Sequence, residues 1–180
     1  MYQSLAAGCY SVPLRSVTAV LTPHGDLLSR YPLRLMPLDN RDAVVLLNFA
    51  LTEVVEQGTA RRLHGLLGND TLIAGKTGTT NERRDSWFVG YTQDRVAVSW
   101  VGRDDNRPAG VTGSNAAMQV WAGLFRHLPL EAVDLRMPEG ANYVWVDKQQ
   151  QALTAPSCPG AVQIPFIEGT DPQASTKCLR

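Results

Sequence analysis

The chain has 180 residues, the length of one domain or of one domain followed by an extension. Hydrophobic residues make up 44% and charged residues 19%, which is ordinary for a folded globular protein and argues against disorder over most of the length. The formal net charge of zero excludes a strongly basic, nucleic-acid-binding domain, and the longest apolar run, 43–47, is far shorter than the roughly 20 residues of a membrane span.

The N-terminal part predicts a hairpin followed by a long helix. Two short β-rich pieces, 16–21 and 27–31, are separated by a connection that contains Pro, Gly and Asp, which is typical of a β-hairpin. Apolar residues recur at helical spacing over 41–57 and predict a helix there. Asp39 is predicted to be its N-cap.

A sheet and a second helix are predicted next. Three strands follow in quick succession, over 71–79, 86–92 and 95–102. Both faces of the last two strands are largely apolar, so the sheet is expected to be covered on both sides, at least at its centre. The short connection between them favours an antiparallel hairpin. The second helix is predicted over 115–127, with Ser114 as its cap.

After residue 128 the periodicity weakens, and an irregular C-terminal extension with one short strand over 143–146 is predicted. The predicted organisation is a domain over 1–128 followed by an extension over 129–180. Because helices and antiparallel strands both occur in runs, the fold class is α+β, an antiparallel sheet flanked by helices.

The residues that carry chemistry lie at the end of the first predicted sheet strand, where Lys76, Thr77, Gly78 and Thr79 follow one another. Alternation puts Lys76 and Gly78 on one face and the two threonines on the other. Without a Cβ at Gly78 another backbone can lie close to the strand, and the lysine and hydroxyls can recognise a peptide carboxylate. The tripeptide alone, however, favours a strand end with a solvated lysine.

Neighbouring segments make the motif specific. Lys-Thr-Gly is one of the sequence elements of β-lactamases and penicillin-binding proteins. The motif lies in the segment 74–81, and four further segments accompany it, 2–8, 54–60, 85–91 and 100–106. Together these segments resemble the class A penicillin-binding proteins, the bifunctional peptidoglycan synthases, over roughly residues 2–128.

The resemblance implies an incomplete penicillin-recognising serine transpeptidase fold and a peptidoglycan DD-transpeptidase activity. In this family a serine of Ser-x-x-Lys attacks the D-Ala-D-Ala bond of a stem peptide, and the acyl group then passes to an amine of a neighbouring strand. By position, Lys76 is expected to organise the proton network and Thr79 to complete the oxyanion hole. Thr77, Gly78 and Thr79 are expected to bind stem peptides or β-lactams. No cofactor or metal is implied.

The chain departs from the family pattern in one decisive way. No serine is followed three residues later by lysine, and no Ser-x-Asn occurs. Since nucleophile and base are needed together, the chain alone is expected to be inactive and to work only with an N-terminal part of the same protein. That part would also supply the anchor that holds the protein on the periplasmic side of the bacterial inner membrane.

Two alternatives remain open at this stage. One is a remnant of a serine β-lactamase, which shares the motif and the fold. The other is a non-catalytic module that binds peptidoglycan peptides or a partner protein.

The extension contains Cys158 and Cys178, which are either two free thiols or a disulfide. A periplasmic location, which the resemblance implies, favours the disulfide.

Overall fold

Antiparallel strands and short helices make up the computed structural model, which describes residues 1–68 and 70–178. The helices, in chain order, are α1 (Tyr2–Ala6), α2 (Arg41–Glu56), α3 (Leu63–Leu67) and α4 (Ala117–Phe125). The strands, in chain order, are β1 (Tyr10–Ser11), β2 (Ala19–Leu21), β3 (Leu27–Arg30), β4 (Met36–Pro37), β5 (Ala74–Thr79), β6 (Ser86–Tyr91), β7 (Val96–Val101), β8 (Ala141–Asp147), β9 (Ala152–Leu153) and β10 (Ala161–Ile167). None of the described helices has the length and apolarity that crossing a membrane would require.

The central sheet has the strand order β5-β6-β7, and both of its strand pairs are antiparallel. One face packs on α4. There Phe88 of β6 and Trp121 of α4 are both buried and meet edge to face, with their ring centroids 5.6 Å apart. Gly90 leaves the room for this contact, since a Cβ there would lie 2.8 Å from the Trp121 ring. The main core therefore lies between this face of the sheet and α4.

The other face of the sheet is covered only at one end. Ala74 and Tyr91 are buried in a cluster with residues of α1 and α2, and the Tyr91 hydroxyl donates to Asn48 Oδ1 at 2.7 Å. Burial holds the pKa of Tyr91 well above its ordinary value, so the hydroxyl stays protonated and can donate. Further along, Val98 and Trp100 are 56% and 45% exposed. The expectation of a sheet covered on both sides is therefore correct only near Tyr91.

The helix α2 begins where the sequence predicts, but with a different cap. Asn40 is the N-cap, and its Oδ1 accepts the backbone N–H of Ala43 at 2.9 Å. A cap side chain must reach the N–H two or three residues on, and Asp39 lies one residue too early to do so. The prediction of Asp39 as the cap is thus corrected by one position.

The helix α4 is capped from outside its own segment. Its first residue, Ala117, donates its N–H to Ser86 Oγ at 3.0 Å, and Ser86 in turn donates to the Thr112 carbonyl at 2.7 Å. Ser114, the predicted cap, instead lies with its hydroxyl 3.2 Å from that of Thr112. The strand β6 therefore supplies the hydrogen-bond acceptor that the start of α4 needs.

The C-terminal extension is more regular than its sequence indicates. β8 pairs with β10 over seven residues, from Ala141↔Ile167 to Asp147↔Ala161, and β9 adds a third strand. The prediction of an irregular extension is therefore wrong over most of 141–167, although the expected strand over 143–146 lies within β8. Pro165 conceals the pattern, because proline argues against a central strand but is tolerated in an edge strand such as β10. The division of the chain at residue 128 stays a prediction.

A disulfide links Cys158 to Cys178 within the extension, with the Cα atoms 5.0 Å apart, whereas Cys9 is a buried free thiol. For protein prepared under oxidising conditions and then denatured, we expect alkylation to modify one cysteine before reduction and three after it. Intact mass spectrometry measures both numbers. Three modified cysteines without reduction would show that the bond does not form.

Candidate active site

The candidate site lies along the free edge of β5. Among the described residues, this strand has a neighbour in the sheet on one side only, so alternate N–H and C=O groups along it point away from β6. The register with β6 is unbroken from Ala74↔Tyr91 to Thr79↔Ser86, which preserves the predicted alternation of side chains. A free edge of this kind can pair with the backbone of an extended peptide.

Lys76 places a positive charge at this edge. Its side chain is exposed, and Nζ donates to the carbonyl oxygen of Thr77 at 2.8 Å. Across residues 1–68 and 70–178 it has no carboxylate partner in an ion pair. The ammonium group is therefore free to attract an anionic ligand.

A pair of hydroxyl groups lies on the face of β5 opposite the Lys76 side chain. The Oγ1 atoms of Thr77 and Thr59 lie 2.7 Å apart, and either can be the donor. Thr59 follows the C-terminal end of α2, so this contact ties that helix end to β5. The motif at 76–79 does not indicate Thr59, which lies 18 residues before Thr77 in the chain. The only sequence signal for Thr59 is that the segment 54–60 resembles the family.

Thr79, at the end of β5, forms a hydrogen bond with the segment that precedes α4. Its Oγ1 accepts the N–H of Gly113 at 3.1 Å and so keeps its own proton available for a ligand. Gly113 approaches the sheet so closely that a Cβ there would lie 2.8 Å from the backbone nitrogen of Gly78. Sequence reasoning missed Gly113, since the contact spans 34 residues and no local pattern marks it.

Asp85 fixes the turn that follows β5. One carboxylate oxygen accepts the Thr80 hydroxyl at 3.0 Å, and the other accepts the Trp100 indole N–H at 3.0 Å. Gly102 makes room for the carboxylate, because a Cβ there would lie 2.7 Å from Asp85 Oδ1. The segments 85–91 and 100–106 thus contribute directly to the position of the Lys-Thr-Gly strand end.

The same turn contains strained backbone. Glu82 and Arg83 have φ of 58° and 55°, in the left-handed region that costs a non-glycine residue free energy. The carbonyl of Arg83 accepts the N–H groups of Ala109 and Gly110 at 3.0 and 3.1 Å. These hydrogen bonds help to hold the turn, and with it the end of β5, in one conformation.

The site offers hydrogen-bonding groups and one cation. Within the described ranges, no group of three or more His, Cys, Asp or Glu side chains is placed to hold a metal ion. The arrangement suits recognition of a peptide with an anionic end. It brings together all four residues predicted from the sequence, Lys76, Thr77, Gly78 and Thr79, and adds Thr59 and Gly113.

Comparison with known proteins identifies the family. The chain is 36% identical over 166 residues to penicillin-binding protein 1B of Vibrio cholerae, covering 92% of this chain and 21% of the relative. It is 31% identical over 176 residues to penicillin-binding protein 1B of Escherichia coli, covering 96% and 20% respectively. It is 36% identical over 135 residues to penicillin-binding protein 1A of Aquifex aeolicus, covering 72% and 18%. The chain belongs to the class A penicillin-binding protein family.

The fold agrees with this membership. A crystal structure of penicillin-binding protein 1A from Haemophilus influenzae matches 97% of this chain and 32% of its own, with a TM-score of 0.79 at 20% sequence identity. The predicted α+β class and partial transpeptidase fold are therefore confirmed. No protein-family model matches the chain.

The chain spans about a fifth of the length of these class A penicillin-binding proteins. The curated relatives named above are penicillin-binding proteins, which favours this family over a β-lactamase remnant.

Proposed function

We propose that this chain is the C-terminal portion of a peptidoglycan DD-transpeptidase, in which β5 forms one wall of the cleft for stem peptides and β-lactams. The observation that carries the proposal is the free edge of β5, where the exposed ammonium of Lys76 lies on the Thr77 carbonyl and the hydroxyls of Thr77 and Thr79 belong to the opposite face of the strand. An acyl-D-Ala-D-Ala peptide has an extended backbone and a terminal carboxylate. The free backbone groups of β5 can pair with the first, and the ammonium and hydroxyl groups can bind the second.

The reaction proposed for the whole protein has two steps. A serine hydroxyl from an upstream segment attacks the carbonyl of the D-Ala-D-Ala bond, its proton moves to the leaving amine, and D-Ala departs. The resulting ester then reacts with the amine of a second stem peptide, which forms the cross-link and restores the serine. A β-lactam enters the first step only, because its ring-opened amine stays attached to the acyl group.

Each residue of β5 has a role in this proposal. Lys76 stabilises negative charge and orients the proton network around the serine, and the Thr77 and Thr79 hydroxyls bind the ligand carboxylate. Gly78 lets the ligand backbone approach. The Thr79 N–H donates to the oxyanion of the tetrahedral intermediate, an interaction typically worth about 3–4 kcal/mol of the barrier.

The chain contributes no nucleophile of its own to this scheme, since it has no Ser-x-x-Lys and no Ser-x-Asn. We therefore propose that it is inactive alone and acts with an upstream part of the same protein. That part would also anchor the protein at the periplasmic side of the inner membrane. In this arrangement residues 1–128 complete the transpeptidase domain and 129–180 form the extension.

The proposal is tested with fluorescent penicillin and a chimera. This chain replaces the matching C-terminal segment of Vibrio cholerae penicillin-binding protein 1B, its relative at 36% identity. We expect the chimera to become labelled and the isolated chain to stay unlabelled. In the chimera, Lys76→Ala should slow labelling about 100-fold or more, because a charged stabilising group is lost. Thr79→Ala should slow it roughly tenfold or more, because a hydrogen bond to a carboxylate is lost.

The matched control for Lys76 is Lys177→Ala, which removes an exposed lysine in the extension and should leave the labelling rate unchanged. Labelling of the isolated chain would contradict its predicted inactivity. Equal labelling rates for the Lys76 and Lys177 variants would show that Lys76 does not contribute to the active site.

A further inference from the structure

A groove outside the candidate active site separates α2 from the C-terminal sheet. It has a volume of about 780 Å³ and is open along one side. Residues of α2 form one wall, and residues of β8 and β10 form the other. Its aromatic and polar lining includes Phe49, Glu53, Gln57, Tyr143, Trp145 and Gln163.

Aromatic rings dominate the groove. Tyr143 is 42% exposed, and Phe49 meets it edge to face with the ring centroids 6.0 Å apart. Trp145, two residues along the same strand, is half-buried. Neither buried core cluster includes these three rings. Large rings left partly exposed in a concave surface are suited to stacking on the apolar face of a ligand.

Four polar side chains of the groove have no hydrogen-bond partner among the described residues. The Tyr143 hydroxyl, the Trp145 indole N–H and the side-chain amides of Gln57 and Gln163 make no hydrogen bond to any residue in the ranges 1–68 and 70–178. Together they supply several donors and acceptors to a ligand. The groups are neutral, so they select for hydrogen bonding and not for charge.

The charges beside the groove cancel. Glu53 and Lys148 lie on opposite walls with Oε2 and Nζ 4.0 Å apart. An anionic lipid or a nucleic acid would require an excess of basic groups here. The groove therefore fits a neutral ligand with flat apolar faces and many hydroxyl or amide groups, which is the chemistry of an N-acetylated amino-sugar chain.

We propose that this groove binds the glycan chain of peptidoglycan. Gln57, the residue that follows α2, lines the groove, and two residues later Thr59 contacts Thr77 in the candidate active site. A sugar chain in the groove would thus bring its attached peptide close to β5. The assignment to peptidoglycan rests on the proposed function, whereas the amino-sugar specificity rests on the groove alone.

The test is a titration of the 180-residue chain with the β-1,4-linked hexamer of N-acetylglucosamine, followed by tryptophan fluorescence. We expect a saturable change, because Trp145 lies in the groove. Tyr143→Ala and Gln163→Ala should each weaken binding roughly tenfold, since one removes a stacking ring and the other a hydrogen-bonding amide. Tyr143→Phe should retain most of the affinity because it keeps the ring.

Tyr31→Ala is the matched control, because it removes a tyrosine of similar exposure that does not line the groove. Its affinity should equal that of the unsubstituted chain. Three outcomes would overturn the inference: no saturable signal up to millimolar sugar, equal affinities of Tyr143→Ala and Tyr31→Ala, or equally tight binding of maltohexaose, which lacks N-acetyl groups. Penicillin labelling of the chimera is read independently, so sugar binding and transpeptidase function can fail separately.

Discussion

Replacing Trp121 with alanine is expected to lower the free energy of unfolding by about 3–5 kcal/mol. The side chain is 1% exposed and joins α4 to the sheet. Its ring stacks on Phe125 with the centroids 3.7 Å apart and meets Phe88 edge to face at 5.6 Å. Its indole N–H also donates to the Gly90 carbonyl at 3.3 Å. Alanine would leave a cavity at the point where three buried aromatic residues meet.

Urea unfolding followed by circular dichroism measures this change without depending on tryptophan fluorescence. Trp100→Ala is the control, because Trp100 is 45% exposed and should cost much less. Trp121→Phe should fall between the two, since it keeps a ring but loses the N–H donor. Similar losses for Trp121→Ala and Trp100→Ala would show that the core does not centre on α4.

The elements defined by local periodicity were predictable from the sequence. The helix predicted over 41–57 is Arg41–Glu56, and the strand predicted over 95–102 is Val96–Val101. Both depend on apolar side chains that repeat within one segment. The structure buries most of this set in the helix, whereas the large apolar side chains Val98 and Trp100 of the strand stay exposed. The observed helix ends one residue earlier than predicted, and the observed strand is one residue shorter than predicted at each end.

The elements that depend on distant contacts were not predictable. Ser86 caps α4 from 31 residues away, and no local pattern distinguishes it from the nearer Ser114. Likewise, Pro165 marks an irregular segment in the sequence but occupies an edge strand in the structure. Local sequence signals assign the cap to the nearest suitable residue and end a strand at each proline. The first rule fails when a distant residue supplies the cap, and the second fails when the proline lies in an edge strand.

The candidate site shows the same division. The motif residues from Lys76 to Thr79 stand out because four informative residue types are adjacent in the sequence. Thr59 and Gly113 reach the site through hydrogen bonds that span 18 and 34 residues. They contribute by positioning β5. Residues with such a role do not form a recognisable sequence motif, whereas the adjacent chemical groups of Lys76 to Thr79 do.

Replacing Gly113 with alanine is expected to disturb both stability and the candidate site. The added Cβ would lie 2.5 Å from the Trp87 carbonyl oxygen and 2.8 Å from the nitrogen and the oxygen of Gly78. All three atoms belong to the backbone of the sheet, so no flexible side chain can move aside. The segment before α4 must shift instead, at a cost of about 1–3 kcal/mol. The hydrogen bond from Gly113 N–H to Thr79 Oγ1 would then be lost.

In the chimera described above, Gly113→Ala should therefore slow penicillin labelling roughly tenfold or more, because Thr79 loses the contact that orients its hydroxyl. Gly123→Ala is the matched control. Gly123 lies within α4 with no atom near the position of an added Cβ, so alanine there should stabilise the chain by about 0.5–1 kcal/mol and leave labelling unchanged. Denaturant unfolding and labelling rates measured on both variants separate the two effects. If Gly113→Ala matched Gly123→Ala in both measurements, the close packing of this segment on β5 would not be what positions the site.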